Sequence, residues 1–162
     1  MTLPEGYHLR TATAEDADVI AAQRAQMFVA MGEMDEAAAQ AQVGLWADWL
    51  RAAIPAGDYV GFVVYRDAEP AGGVGLMFHS KFPTVQDPAT LRVYVLNMYV
   101  APQHRRRGLS EALMGAVLED TRTRGLRSVS LHAAPMGRPL YERLGFAEGI
   151  NPHLNLILDG PT

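Results

Sequence analysis

Residues 91–117 read LRVYVLNMYVAPQHRRRGLSEALMGAV. The first ten, Leu91 to Val100, are rich in Val, Tyr and Leu and predict a central β-strand. Pro102, the run Arg105-Arg106-Arg107 and Gly108 then interrupt it. Beyond the glycine, Leu109, Ala112, Leu113, Ala116 and Val117 fall at i, i+3, i+4, i+7 and i+8. That is the apolar stripe of a helix packed on a sheet, with Gly125 placed as its C-cap. The segment is therefore a strand, a basic glycine turn and a helix.

A turn of this kind has a specific chemical capacity. The first amides of a helix have no intrahelical acceptor, and the helix dipole puts partial positive charge there, so an entering turn can hold a diphosphate through its main chain. Gly108 lets the backbone approach an anion closely, Ser110 is small and carries a hydroxyl, and three arginines add charge. No Gly-Lys-Ser or Gly-Lys-Thr follows and the three-glycine dinucleotide fingerprint is missing, which argues against ATP and NAD.

Upstream, Tyr7 to Thr11 predicts a short opening strand, and Thr13 with Asp16 resembles a capping box starting a helix that runs to about Met31. Gly32 interrupts. Asp35-Glu36 opens a second helix with Val43, Trp46, Ala47, Leu50 and Ile54 at helical spacing, ended by Pro55 and Gly57. Asp58 to Arg66 and Ala71 to His79 read as a hairpin joined through Asp67-Ala68-Glu69-Pro70. Downstream, Arg127 to Ala133 predicts a strand, Gly137 to Leu144 a short helix stopped by Gly145, and His153 to Leu158 a final strand. Strands and helices in this order predict an α/β (α+β) domain with a mixed, largely antiparallel sheet.

Composition sets the outer bounds. The 162 residues, 49% hydrophobic, suit one domain spanning 1–162. The lack of cysteine excludes disulfides, thiolate zinc sites and cysteine nucleophiles, and no metal is expected. No long apolar run and no signal-peptide layout occur, so a cytoplasmic protein with no membrane association is expected. The net charge of −4 argues against a general nucleic-acid binder. Its distribution is uneven: residues 1–100 hold 6 basic and 12 acidic side chains, whereas residues 101–162 hold 8 and 6. An anionic ligand would prefer the second half, although a solvated surface gives the same split.

The segment Arg105-Arg106-Arg107-Gly108-Leu109-Ser110 resembles the cofactor motif of the GNAT superfamily of N-acetyltransferases, Arg or Gln, two residues, Gly, one residue, Gly or Ala, with Ser110 in the last place. Asn97-Met98-Tyr99-Val100-Ala101-Pro102 is similar to the family's preceding strand and proline, and Leu140-Tyr141-Glu142-Arg143-Leu144-Gly145-Phe146 to its second signature. The similarity covers about residues 91–147. It implies acetyl-coenzyme A as co-substrate and a sheet of about six or seven strands flanked by about four helices. Backbone groups near Met98 and Val100 would pair with the pantetheine arm, and the amides from Arg105 to Ser110 would hold the diphosphate. It also implies an acceptor site built partly by the N-terminal third, and it allows a homodimer. Two departures stand out: Ala134 occupies the place of a cofactor-contacting Asn, and Pro139 falls within the short helix.

Acyl transfer from a thioester to an amine needs a neutral amine, an oxyanion donor and a proton for the departing thiolate. The resemblance places Tyr141 as the proton donor, with a packing tyrosine as the alternative, and a backbone N–H near Met98 as the oxyanion donor. Leu91 to Val100 contains no acidic residue, so the carboxylate base that many relatives carry on this strand is absent. His132 is a candidate base, alongside His79, Glu33 or a chain of waters. Met27, Met31, Phe28, Trp46 and Trp49 recur at helical spacing, as core or as pocket lining. The expected activity is acetyl transfer to a primary amine, small molecule or peptide, in a ternary complex. The alternatives are a coenzyme A-binding sensor without turnover and nucleic-acid binding through the arginine run.

Overall fold

The computed structural model describes residues 2–158 and 160. Its chain divides into two compact units, Met1–His132 and Ala133–Thr162. The first contains a five-stranded sheet in sequential order: β1 (Tyr7–Thr11), β2 (Tyr59–Arg66), β3 (Glu69–Ser80), β4 (Leu91–Val100) and β5 (Val129–Leu131). The β1/β2, β2/β3 and β3/β4 pairings are antiparallel, and β4/β5 is parallel. This is the mixed, largely antiparallel sheet expected, with fewer strands than the six or seven anticipated.

Helices α1 (Ala17–Ala30), α2 (Glu36–Ala56) and α3 (Leu109–Thr123) belong to the same unit. The N-terminal cap forms as Thr13 and Asp16 predicted: the Thr13 N–H donates to the Asp16 carboxylate over 2.8 Å, and Arg10 grips both carboxylate oxygens at 2.8 Å. A single 3₁₀ turn, Ala14–Asp16, precedes α1. Helix α2 ends at Gly57, whose φ of +80° is the left-handed C-terminal geometry that glycine accepts without strain. Ile20, Ala21, Ala47, Leu50 and Ala53 bury against Tyr59 and Val63 of β2. Helix α3 packs on β2, β3 and β4 and contributes nothing to that cluster, so it covers the other face, through Leu109, Leu113, Met114 and Val117. A sheet with helices on both faces explains why β2 and β3 are buried along most of their length.

Among its described residues, the unit Ala133–Thr162 holds one helix, α4 (Arg138–Arg143). Pro139 lies in its first turn, where a missing N–H costs no helical bond. Gly145, at φ +94°, follows its end. The final strand expected over His153 to Leu158 does not form: among the described residues this segment has no strand partner, and Leu154, Leu156, Ile157 and Leu158 are exposed. Apolar alternation supplies one face of a strand, but a ladder also needs a neighbour's N–H and C=O groups. The strand expected over Arg127 to Ala133 shrinks for the same reason to the three residues that β4 pairs, Val129–Leu131.

Candidate functional site

The turn between β4 and α3 is exposed from Arg105 to Gly108, and only at Leu109 does the chain enter the core. A 3₁₀ turn, Pro102–His104, leads into it. His104 is buried, with Nδ1 2.8 Å from the Tyr7 hydroxyl and Nε2 3.2 Å from Glu69. Gln103 donates to the same carboxylate and, with His104, holds Glu69 below the ordinary glutamate range. Gly108 caps α3 at φ +75° and ψ +10°, preceded by Arg106 at φ +59°. Positive-φ positions on either side of Arg107, at the entrance to a helix, suit an anion cradle of main-chain amides. Among the described residues, no backbone acceptor takes the amides of Arg106, Arg107 or Gly108, and those of Leu109 and Ser110 are first-turn amides without an intrahelical partner. The residues present therefore fit a diphosphate.

Of the three arginines, Arg105 is committed to the protein. Its Nε donates to the Val100 carbonyl over 3.0 Å and braces the turn on the strand. Arg106 and Arg107 stand exposed beside the cradle.

The strand edge leading to the turn is open. Pairing of β4 with β5 stops at Val95–Leu131, so no strand flanks residues 96–100 on that side among the described residues. On the other side β3 continues to Gly72–Val100. The Ala101 amide donates to Ala71, so by alternation the peptide groups of Val100, and of Met98 two residues earlier, face the open edge. Between Leu96 and Tyr99 the ladder slips by one residue, with Asn97 at φ +57° inside the bulge.

Asn97 anchors a polar cluster that the sequence reading did not pick out. Its amide nitrogen donates to the Tyr59 hydroxyl over 3.1 Å, and its oxygen accepts from Arg24 of α1. Burial pushes the Tyr59 phenol up to about 12, against the lowering effects of Asn97 and Arg24, so it is a neutral hydroxyl. Gly75 makes the space: a Cβ there would collide with the Tyr59 ring and hydroxyl. The Arg24 guanidinium rests 4.7 Å from the Phe28 ring centre and 5.0 Å from that of Trp46. An uncharged polar residue inside an otherwise apolar stretch of strand, and a cation four residues before an aromatic on a helix, were the available signals.

His132 follows β5, on the β4 side of the sheet. Its Nδ1 lies 2.7 Å from the Tyr94 hydroxyl, and burial raises the Tyr94 phenol. His79 pairs with Arg92 at the opposite end of β4, six residues and about 20 Å along the strand from Met98. Glu33 is exposed beyond the end of α1. Of the three, His132 is the one joined to β4 by a side-chain hydrogen bond. Phe28 and Trp46 flank Arg24 as described, while Trp49 stacks edge-on against Tyr59 at 6.2 Å. In the C-terminal unit, Tyr141 is buried in α4 with its ring edge-on to Phe146 at 5.9 Å, and burial raises its phenol.

Comparison with known proteins bears on the fold and the family. No curated protein matches the sequence. Among solved structures, a GCN5-related N-acetyltransferase from Ralstonia eutropha JMP134 is 32% identical, with a TM-score of 0.84 over 93% of this chain and 99% of that one. A predicted acetyltransferase with acetyl-CoA from Clostridium acetobutylicum is 18% identical, with a TM-score of 0.80 over 92% and 96% of the two chains. An aminoglycoside acetyltransferase from an uncultured soil metagenomic sample is 17% identical, with a TM-score of 0.71 over 94% and 99%. These last two share the fold. The model of the acetyltransferase (GNAT) family matches residues 21–146, from within α1 through the turn at Gly108 to just past α4, and the chain belongs to that family.

Proposed function

We propose that the protein transfers an acetyl group from acetyl-coenzyme A to a primary amine by direct attack in a ternary complex. The observation that carries this reading is the conjunction of an exposed, left-handed turn at Gly108 with a β4 edge that opens from Leu96 onward. The two features adjoin along the chain and suit the two chemically different parts of one donor. Acetyl-coenzyme A, when bound, supplies an acetyl group activated as a thioester. The amides from Arg106 to Ser110 hold its diphosphate, with Arg106 and Arg107 adding exposed charge. Met98 and Val100 offer main-chain groups to its pantetheine arm, and the Met98 amide serves as the donor for charge developing on the carbonyl oxygen.

For the proton leaving the amine, His132 is the assigned base. Its hydrogen bond to Tyr94 orients the ring, and in the Nδ1–H tautomer the lone pair lies on Nε2. This offers an explanation for a β4 without a carboxylate. Tyr141 is assigned the proton delivered to the leaving thiolate, and its burial keeps the phenol protonated throughout the neutral range. Thiol release from acetyl-coenzyme A across a panel of primary amines, with calorimetric titration of coenzyme A, tests the proposal. Saturable release that depends on one amine class supports it. Tight coenzyme A binding without release for any amine would favour a sensor, and no binding at all would remove both readings.

A further inference from the structure

The donor site proposed above makes no use of Arg24, and the surroundings of this residue are unusual for a cation. It sits on α1 against β4, half-buried, and among the described residues no carboxylate lies within ion-pair distance of it. Every other arginine of α1, α2 and β4 is paired: Arg51 with Asp18 and Asp48, and Arg92 with Asp87. A guanidinium presents five N–H donors, and the hydrogen bond recorded for Arg24 is the one to the Asn97 side-chain oxygen. The Phe28 and Trp46 ring centres lie 4.7 and 5.0 Å from its guanidinium carbon, contacts that take up none of its N–H donors in hydrogen bonds to a carboxylate. Burial of this cation without a counter-ion disfavours its charged form, and its pKa is lowered accordingly. An anion placed there would relieve that cost.

Location indicates which anion. Arg24 is hydrogen-bonded to Asn97, the residue immediately before Met98, and Tyr94 is near enough for its charge and that of Arg24 to influence each other. Tyr94 in turn holds His132. The cation therefore reaches β4 at Asn97 and the assigned base reaches the same strand at Tyr94, three residues earlier. We propose that the acceptor is an amino acid, a primary amine with a carboxylate a few bonds away, and that Arg24 binds this carboxylate while the amine faces His132. This rests on the acetyl-transfer reading and names the substrate class of that site. The same cation opposes polyamines and other polycationic acceptors, which would bring like charge against it.

The test compares matched acceptors. Initial rates of coenzyme A release are measured with the proteinogenic L-amino acids and with their α-carboxamides, which keep the amine and side chain but lose the charge. The preferred amino acid is expected to exceed its amide by about 10- to 100-fold in kcat/KM, the ordinary scale of a charge-assisted hydrogen bond. In Arg24→Gln that ratio should fall toward one, and in Arg24→Lys it should be partly kept, with coenzyme A affinity and circular dichroism reporting folding in both. Equal rates for acid and amide with wild-type protein would overturn the inference while leaving acetyl transfer intact, as would a reaction confined to amines without a carboxylate. If no acceptor reacts, calorimetric titration of the same amino acids into the coenzyme A complex decides. Arg24-dependent binding would keep the carboxylate site and sink the transfer reading, and no binding would sink the site as well.

Discussion

Replacing Gly108 by valine tests the donor site directly. At φ +75° and ψ +10° an L side chain is strained by about 1–2 kcal/mol, and a β-branched one by more, so the turn will shift to relieve it. Any shift draws amides away from the diphosphate. A charge-assisted hydrogen bond contributes about 1.5–3 kcal/mol, so withdrawal of one amide weakens coenzyme A binding by roughly 10- to 150-fold. Withdrawal of two should take binding beyond detection, the result expected for Gly108→Trp. Because residue 108 is exposed, the fold should survive. Isothermal titration with coenzyme A gives the affinity, and circular dichroism with thermal melting establishes that the variants are folded. Wild-type affinity in both folded variants would show that these amides do not bind the donor, and the functional proposal would fall with them.

Other consequences follow from individual side chains. Arg106→Gln and Arg107→Gln should each weaken coenzyme A by about 2- to 5-fold at low salt, the scale of an exposed ion pair, and the difference should vanish when the titration is repeated at high salt. Tyr141→Phe should keep coenzyme A affinity and lower kcat. Because burial raises the phenol above its usual value near 10, a wild-type kcat profile should show no loss from its ionisation between about pH 7 and 9.5; unaltered kcat in the variant would return Tyr141 to a packing role. Asp16 is held below the usual aspartate range, first by the Arg10 hydrogen bonds and then by the Thr13 amide, against the opposing effect of burial. A lowered carboxylate contributes stability that is present above its unfolded value near 4 and is lost as pH falls through the folded value. Denaturant melts should therefore show Asp16→Asn to be less stable than wild type at pH 7 by about 1–3 kcal/mol, with the gap narrowing below pH 4. An unchanged gap would refute that account.

Local sequence determined the parts whose causes are local. The apolar stripe from Leu109 to Val117 predicts α3, which packs on the sheet as expected, and Gly108 marks a turn that proves left-handed and exposed. Thr13 and Asp16 announced the start of the first helix, and Gly57 the end of the second. Tertiary structure decided whatever depends on a partner distant in the chain. The apolar alternation of His153 to Leu158 formed no strand because, among the described residues, no edge pairs with it, and β5 is short because β4 pairs only three of the residues expected there. The space Gly75 leaves for Tyr59, the hydrogen bond of Asn97 to Tyr59 and the meeting of Arg24 with Asn97 join residues 16 to 73 positions apart. No periodicity encodes such a meeting: it arises when helix α1 packs on the sheet, and with it appears the unpaired cation at the proposed acceptor site.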